Sequence, residues 1–426
     1  MKITLLTFIS IIAFTASAQN VNIPDANFKA ALLSKTEINT DADELNISVA
    51  EAIAFTGILE ISNRGISSLN GIEEFIHLTS LICSGNQLST LDVSKLIDLN
   101  ELYCPRNNLT NLDVSKNTAL TQLNCNDNQL STLDVSKLTD LNELNCSKNN
   151  LTSLDLSNNI TLTQLYCENN QLSTLDVRNN INLLFLYCRE NSIQNLDLSK
   201  NVALKKLICY NNFLTSLDVN NNTALYQLCC NNNLLSTLDV SMLTELYELD
   251  CSKNILTAID VSKNNKLEIL LISENSFKNI DVSNNFALRT LFCSNNSLTS
   301  LDINNNTALF QLDCSKNNLT SLDVSKMTEK YMYFTEWRYN IIVCNENSNL
   351  KCIQALDSSV KTNWIKDPTA QYSEDCNVKV GINEETSTLP KTIQAIYNLQ
   401  GKGVPNTYQG LVIIRYTDGT SEKVIQ

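Results

Sequence analysis

A line of twenty-one residues, LTQLNCNDNQLSTLDVSKLTD (Leu120–Asp140), returns along this chain with few changes. Units begin at Leu78, Leu99, Leu120, Leu141, Leu162, Leu183, Leu204, Leu225, Leu246, Leu267, Leu288 and Leu309. They read L-x-x-L-x-C-x-x-N-x-L-x-x-L-D-V-S with small lapses. A unit this short cannot enclose a core of its own, so it folds only by stacking on copies of itself. Length alone would suggest about two or three domains; the period predicts one continuous stack instead. A divergent unit, Ile58 to His77, precedes the series, with Leu59 and Ile61 in the strand places. A truncated last line follows an insertion, with Ile342, Cys344 and Asn347 in phase.

Each unit carries two alternations. L-x-L-x-C has the period of a strand with one buried face. L-D-V-S puts Leu and Val inward and Asp and Ser outward, which predicts a short extended segment on the opposite side. A coil of this length leaves no room for a long helix there. The Cys ladder (Cys83, Cys104, Cys125, Cys146, Cys167, Cys188, Cys209, Cys230, Cys251, Cys293, Cys314) has Ile272 in the tenth unit's place. That substitution points to a slim apolar filler. The alternative, a metal or redox wire, lacks the C-x-x-C pairs and His ligands such sites use. Neighbouring rungs project side by side, which does not suit a disulfide.

A second ladder, from Asn86 through Asn128, Asn170, Asn212, Asn254 and Asn296 to Asn317, predicts amides bonding to the backbone of their own and adjacent coils. A third, Asp92 to Asp323, either bonds to nearby backbone N–H groups and Ser hydroxyls or collects calcium.

On these residues the chain resembles the leucine-rich repeat family, whose signature is L-x-x-L-x-L-x-x-N-x-L, with Cys here in place of the third Leu. The resemblance covers about two thirds of the chain. It implies a leucine-rich repeat solenoid: parallel strands on a concave face, and extended or turn segments on the convex face. A helical cap and a small C-terminal β tail would complete it.

The ends differ from the repeat. Ile23–Ser34 predicts a capping helix, with Asp25 as N-cap and Phe28, Leu32 and Leu33 on one face. The stretch after it, with Asn39, Asp41 and Asp43 alternating, is partly similar to an EF-hand loop. However, Glu44 stands where that loop needs Gly, and Glu51 falls one place late. A polar turn between two cap helices is the other reading. After Cys344 the rhythm stops; Cys352 and Cys376 are the disulfide candidates, and Trp364 the expected plug of a C-terminal cap. Ile396–Val404 and Gly410–Ile425 read as strands, with Asp418-Gly419 as a hairpin turn. Tyr397-Asn398-Leu399-Gln400-Gly401, the run from Gly410 and the terminal Lys-Val-Ile resemble the sorting domains of proteins exported by the type IX secretion system of Bacteroidota. No Y-P-N-P element precedes them. The tail is then either an address or a small β module.

These features divide the chain into a signal peptide (1–18), an N-terminal cap (19–57), the solenoid (58–344), a C-terminal cap (345–380), a linker (381–392) and the tail (393–426). The signal reading rests on Lys2, the apolar run Ile3–Phe14 and Ala16-Ser17-Ala18; a buried helix is its rival. No other segment approaches membrane-spanning length. The protein is therefore expected to be secreted or placed at the cell surface.

Acidic residues outnumber basic ones by fourteen (45 against 31), which argues against nucleic acid as a partner. The single His, His77, leaves Ser–His and Cys–His nucleophile pairs without a base. No phosphate loop, zinc signature or cofactor motif is present, and no carboxylate pair stands out from the Asp ladder. An enzyme is not expected, and no cofactor or metal is implied.

Binding is the better reading. The outward strand places carry Tyr103, Tyr166, Phe185, Tyr187, Tyr210, Tyr226, Tyr247, Phe292 and Phe310. These places vary while the scaffold places repeat. Clustered aromatics anchor protein partners or sugar rings, though Tyr also suits strands in its own right. Cys229 falls on the same face as a candidate exposed thiol. The expected function is a non-catalytic scaffold for protein recognition or adhesion, with glycan capture as the alternative.

Overall fold

The computed structural model describes residues 19–43, 45–327, 330–333, 336–339, 341–356, 364–376, 393–398, 402–405, 411–416 and 421–425. The expected signal peptide and linker lie outside these residues. The chain divides into two units, Met1–Cys376 and Asn377–Gln426.

In the first unit every L-x-L-x-C run becomes a short strand. They are β1 (Gly57–Glu60), β2 (Leu78–Ile82), β3 (Glu101–Tyr103), β4 (Gln122–Asn124), β5 (Glu143–Asn145), β6 (Gln164–Tyr166), β7 (Phe185–Tyr187), β8 (Lys206–Ile208), β9 (Gln227–Cys229), β10 (Glu248–Asp250), β11 (Ile269–Leu271), β12 (Thr290–Phe292) and β13 (Gln311–Asp313). Beyond them come β14 (Ser321–Asp323), the antiparallel pair β15 (Lys330–Tyr333) and β16 (Glu336–Tyr339), then β17 (Ile341–Val343), β18 (Cys352–Gln354), β19 (Trp364–Ile365) and β20 (Gln371–Ser373).

Strands β1 to β13, followed by β17 and β19, form one parallel sheet of fifteen strands in chain order. Equal repeat lengths force equal registers. Leu102 faces Leu123, which faces Leu144. Each apolar place therefore stacks on its own copy, and Leu, Val and Cys make one continuous core. Leu204, Leu207, Cys209, Leu214 and Val219 of a single coil are all fully buried. The ladder cysteines are free and buried, as a packing role requires. The L-D-V-S segment buries Leu and Val as expected, but it forms strands only at the C-terminal end, where β14, β18 and β20 pair in parallel.

Two features of the coil have no clear sequence signature. The eighth place, just past the strand, is left-handed in every coil, with φ of 54° at Arg106, 52° at Lys148 and 55° at Glu190. The chain must turn sharply there to bring the next Asn inward, and only the first full coil supplies a glycine, Gly85. In most coils the nineteenth place holds a fully buried Asn. Asn222, for example, donates to Leu198 O and Asn201 O of the preceding coil.

The N-terminal cap contains α1 (Ala26–Leu33) and α2 (Val49–Ala54). One Asp25 oxygen accepts from Phe28 N, and the other accepts from Ser67 N, Ser67 Oγ and Ser68 N. The N-cap thus also ties the cap to the first coil. In the loop that resembles an EF-hand, Asp41 and Asp43 accept from backbone N–H groups two residues on. Glu51 is buried and closes a capping box on Ser48.

At the other end the stack continues past Cys344. Ile342 faces Trp364, and Cys352 faces Gln371. The coil rhythm there is irregular, which hid it. The buried residues of this end are Leu350, Ile353, Ala355 and Ala370. Trp364 is only half-buried against them, edge-on to Tyr372 at 5.5 Å. It is a strand residue extending the main sheet, so the expectation of a plug is corrected. Cys352 and Cys376 are joined by a disulfide, with Cα atoms 5.7 Å apart.

The second unit is an antiparallel sheet of β21 (Ile393–Asn398), β22 (Leu411–Tyr416) and β23 (Ser421–Ile425) around Ile396 and Ile414. The run Ile396–Val404 is not one strand. The strand ends at Asn398, Val404 N donates to Ile396 O, and Tyr397 and Gly403 form an antiparallel bridge. The Asp418-Gly419 turn lies outside the described residues.

Candidate binding face

The third and fifth places of each unit point away from the core on the parallel sheet. Neighbouring strands stand about 4.8 Å apart, so these side chains shield one another and are mostly half-buried. The register sets Tyr166 directly beside Tyr187, with ring centroids 4.9 Å apart and planes tilted by 31°. Lys206 Nζ lies 5.2 Å from the Tyr187 centroid, and the Arg189 guanidinium 5.3 Å from that of Tyr210. Arg189 also donates to the Tyr210 hydroxyl and pairs with Glu168. Phe185 and Ile208 complete this centre, which spans three coils. Cations over aromatic faces are held in place by the ring quadrupole, so the group is ordered before any partner arrives.

The other expected residues are not all gathered here. Tyr103 lies three strands before Tyr166, bonded to Gln122. Tyr226 and Tyr247 occupy the second place of their coils, where they are exposed on the leading flank of the sheet. Phe292 and Phe310 lie toward the far end, each half-buried. Cys229 lies on this face, but it is only 8% exposed. Its Sγ sits 3.7 Å from Glu248 Oε1 and 3.8 Å from Gln227 Nε2. Burial, aided by the charges of Glu248 and Asp250, pushes its pKa up to about 12. The expectation of an exposed thiol is corrected: the neighbouring side chains cover it.

Burial also raises the carboxyls of Glu168 and Asp250 above the ordinary range. At Glu168 the charge of Arg189 opposes that shift but does not cancel it.

On the opposite face, an open hollow of about 700 Å³ runs along Asp113, Asp134 and Asp155 with Ser115 and Ser136. Each carboxylate there is already used. Asp113 accepts from Ser115 N, Asp134 from Ser136 N and Asp155 from Ser157 N, all at 2.9 Å. Those bonds, together with the Ser hydroxyls, hold these carboxyls below the usual range. The local reading of the Asp ladder accounts for it. Among the described residues no group of three His, Cys, Asp or Glu side chains is placed to hold a metal. His77 is half-exposed, 2.9 Å from Asp98.

An in-phase parallel solenoid with an Asn-bonded turn in each coil defines a leucine-rich repeat protein, and the chain belongs to that family. It is similar to the functional domain of InlJ from Listeria monocytogenes, a structure described as including a cysteine ladder. The two are 31% identical, with 96% of this chain and 98% of that one covered and a TM-score of 0.71. An internalin, inlF, from the same species is 27% identical over 72% of this chain and 94% of its own, with a TM-score of 0.65. YopM, a leucine-rich effector protein from Yersinia pestis, shares the fold at 23% identity, 83% and 90% coverage and a TM-score of 0.55. No family model and no curated protein matches the chain. No helix among the described residues is long and apolar enough to cross a membrane.

Proposed function

We infer that this protein is an exported, non-catalytic scaffold that binds other proteins at the cell surface through the outward face of its long sheet. The observation that carries the reading is the packed centre of Tyr166, Tyr187, Lys206, Arg189 and Tyr210. The stack does not require aromatics at these places: the places of Tyr166 and Tyr187 hold Asn124 and Asn145 in the preceding coils, and that of Tyr210 holds Asn231 and Ser252 in the following ones. A rigid cluster of Tyr and Arg on an accessible face has the composition of a binding hot spot. The apolar run at residues 1–18 and the tail at 393–426 support export and surface sorting.

The test is a binding comparison of the full chain with a variant carrying Tyr166, Tyr187, Tyr210 and Tyr226 all changed to Ser. Both are offered bacterial and host surface-protein extracts and a glycan array. Protein binding that the variant loses supports the reading. Glycan binding lost in the same way would replace protein by sugar as the ligand class. Equal binding by both forms would remove this face as the site. For sorting, the tail fused to a periplasmic reporter should carry it to the surface of a host with type IX export; a reporter that stays behind would refute the address.

A further inference from the structure

The sheet face is divided by charge. Lys205 and Lys206 stand side by side in one coil, and Lys206 lies over Tyr187. Two strands further on, the third and fifth places are acidic, with Glu248 in register with Lys206 and Asp250 in register with Ile208. Lys206 faces Gln227, which faces Glu248; Ile208 faces Cys229, which faces Asp250. A basic rung and an acidic rung are thus separated by one largely uncharged rung, at about 9.6 Å.

The same three coils depart from the rest of the chain at a second place. Their tenth residues are Phe213, Leu234 and Ile255, exposed by 52%, 47% and 56%. The coils before and after carry polar residues there, such as Gln171, Ser192 and Ser276. The backbone role of the place is the same throughout: Leu234 N donates to Leu214 O just as Gln171 N donates to Leu151 O. The scaffold therefore does not require the apolar side chains. On the other flank of the sheet the second places carry Tyr226 and Tyr247. Apolar exposure on both flanks of one charge-divided segment marks a surface prepared for a partner.

Building on the binding reading above, we propose that the coils beginning at Leu204, Leu225 and Leu246 seat an amphipathic helix of a partner protein, lying along the stack. The partner helix carries an acidic side chain over Lys205 and Lys206, and a basic one over Glu248 and Asp250. An apolar side chain sits between them, against Tyr226 and the covered Cys229. The spacing selects a helix. One helical turn rises 5.4 Å, close to the strand spacing of about 4.8 Å, so successive turns meet successive rungs. Residues seven apart share a face and lie about 10.5 Å apart, matching the distance from the basic to the acidic rung. An extended strand places same-face residues about 6.7 or 13.4 Å apart and misses it.

The experiment pans the full chain against a displayed library of alanine-based helices randomised on one face. Enriched helices should carry an acid and a base seven residues apart with an apolar residue between. Lys206→Glu should weaken them by about tenfold, and high salt should do the same. The full exchange, Lys205→Glu and Lys206→Glu with Glu248→Lys and Asp250→Lys, should recover binding, because the charge order is then reversed and the helix can lie in the opposite direction; a misfolded variant would not recover. Enriched helices without that charge spacing, or helices indifferent to Lys206→Glu yet lost on the four Tyr→Ser changes, overturn the charge-paired seat and leave the wider binding reading standing. No enriched helix at all overturns the seat as well. Helices indifferent to both sets of changes overturn both readings.

Discussion

Asn212 donates its side-chain amide to the carbonyl of Cys188, 3.0 Å away in the preceding coil. The same nitrogen reaches Cys209 O of its own coil at 3.1 Å, and its oxygen accepts from Ile193 N at 2.9 Å. One side chain thus satisfies backbone groups of two coils that the turn removes from water. Asn212→Leu keeps the branching at Cγ but leaves the Ile193 N–H buried without that partner. The expected cost is about 3 kcal/mol, at the upper end for an orphaned buried donor. A denaturation midpoint unchanged from the parent would contradict this.

Asn222, in the same coil, should behave differently. It is fully buried and donates to Leu198 O and Asn201 O, while its own oxygen has no partner. Both carbonyls already accept backbone N–H groups, from Asn201 and Leu204. Other coils place Leu96, Leu138 and Leu243 there. Asn222→Leu should therefore stay within about 1 kcal/mol of the parent, or stabilise it, because it removes an orphaned acceptor. Measured beside Asn212→Leu, it separates two amides that the sequence writes with the same letter.

The period made the scaffold legible, because a strict repeat fixes every in-phase contact at once. The Leu, Cys and turn-Asn places, the Asp25 cap and the local role of the Asp ladder followed from spacing and residue type. The left-handed eighth place did not, since Arg106, Asp127, Lys148 and Glu190 share a backbone angle and no chemistry. The nineteenth place was hidden by its exchange between Asn and Leu. The line after the insertion stayed legible, and there Glu346 keeps the left-handed turn and Asn347 the amide bonds to Cys314 and Cys344; the strands beyond it, at Cys352, Trp364 and Gln371, carry none of the repeat's letters in phase. On the binding face, alternation could say which way a residue points but not what covers it. That is why Cys229 looked open, and why the division between Lys206 and Glu248 emerged only from the register.

The N-terminal cap should be acid-sensitive at one residue. Glu51 accepts from Thr40 N and Oγ1, Asp41 N, and Ser48 N and Oγ. Burial works to raise its pKa, but the hydrogen bonds outweigh it and bring the value down to about 2. A carboxyl with a depressed folded-state pKa stabilises the fold above its unfolded value, near 4.5, and loses that contribution as pH falls toward about 2. Glu51→Gln should lower the melting temperature at neutral pH. The gap from the parent should close through that acid window. A constant gap from neutral pH down to pH ~2 would rule out the linkage.

The thiols should be silent in the folded protein. Thirteen cysteines are free and buried. Burial pushes Cys83, Cys125 and Cys188 up to about 12, and Cys229 likewise. Thiol reagents attack the thiolate, so at mildly alkaline pH both access and ionisation are denied. An aromatic disulfide reagent should find no reactive thiol in the native protein and all thirteen after guanidinium is added. Cys229 is the informative exception to seek, because it alone of the ladder's neighbours lies on the outward face of a strand. A single fast thiol that vanishes in Cys229→Ala would show that the cover over it opens in solution, and that the sheet face is less rigid than its packed aromatics imply. Silence at all thirteen would mean that burial alone, without pairing of its rungs, shields the ladder from thiol chemistry.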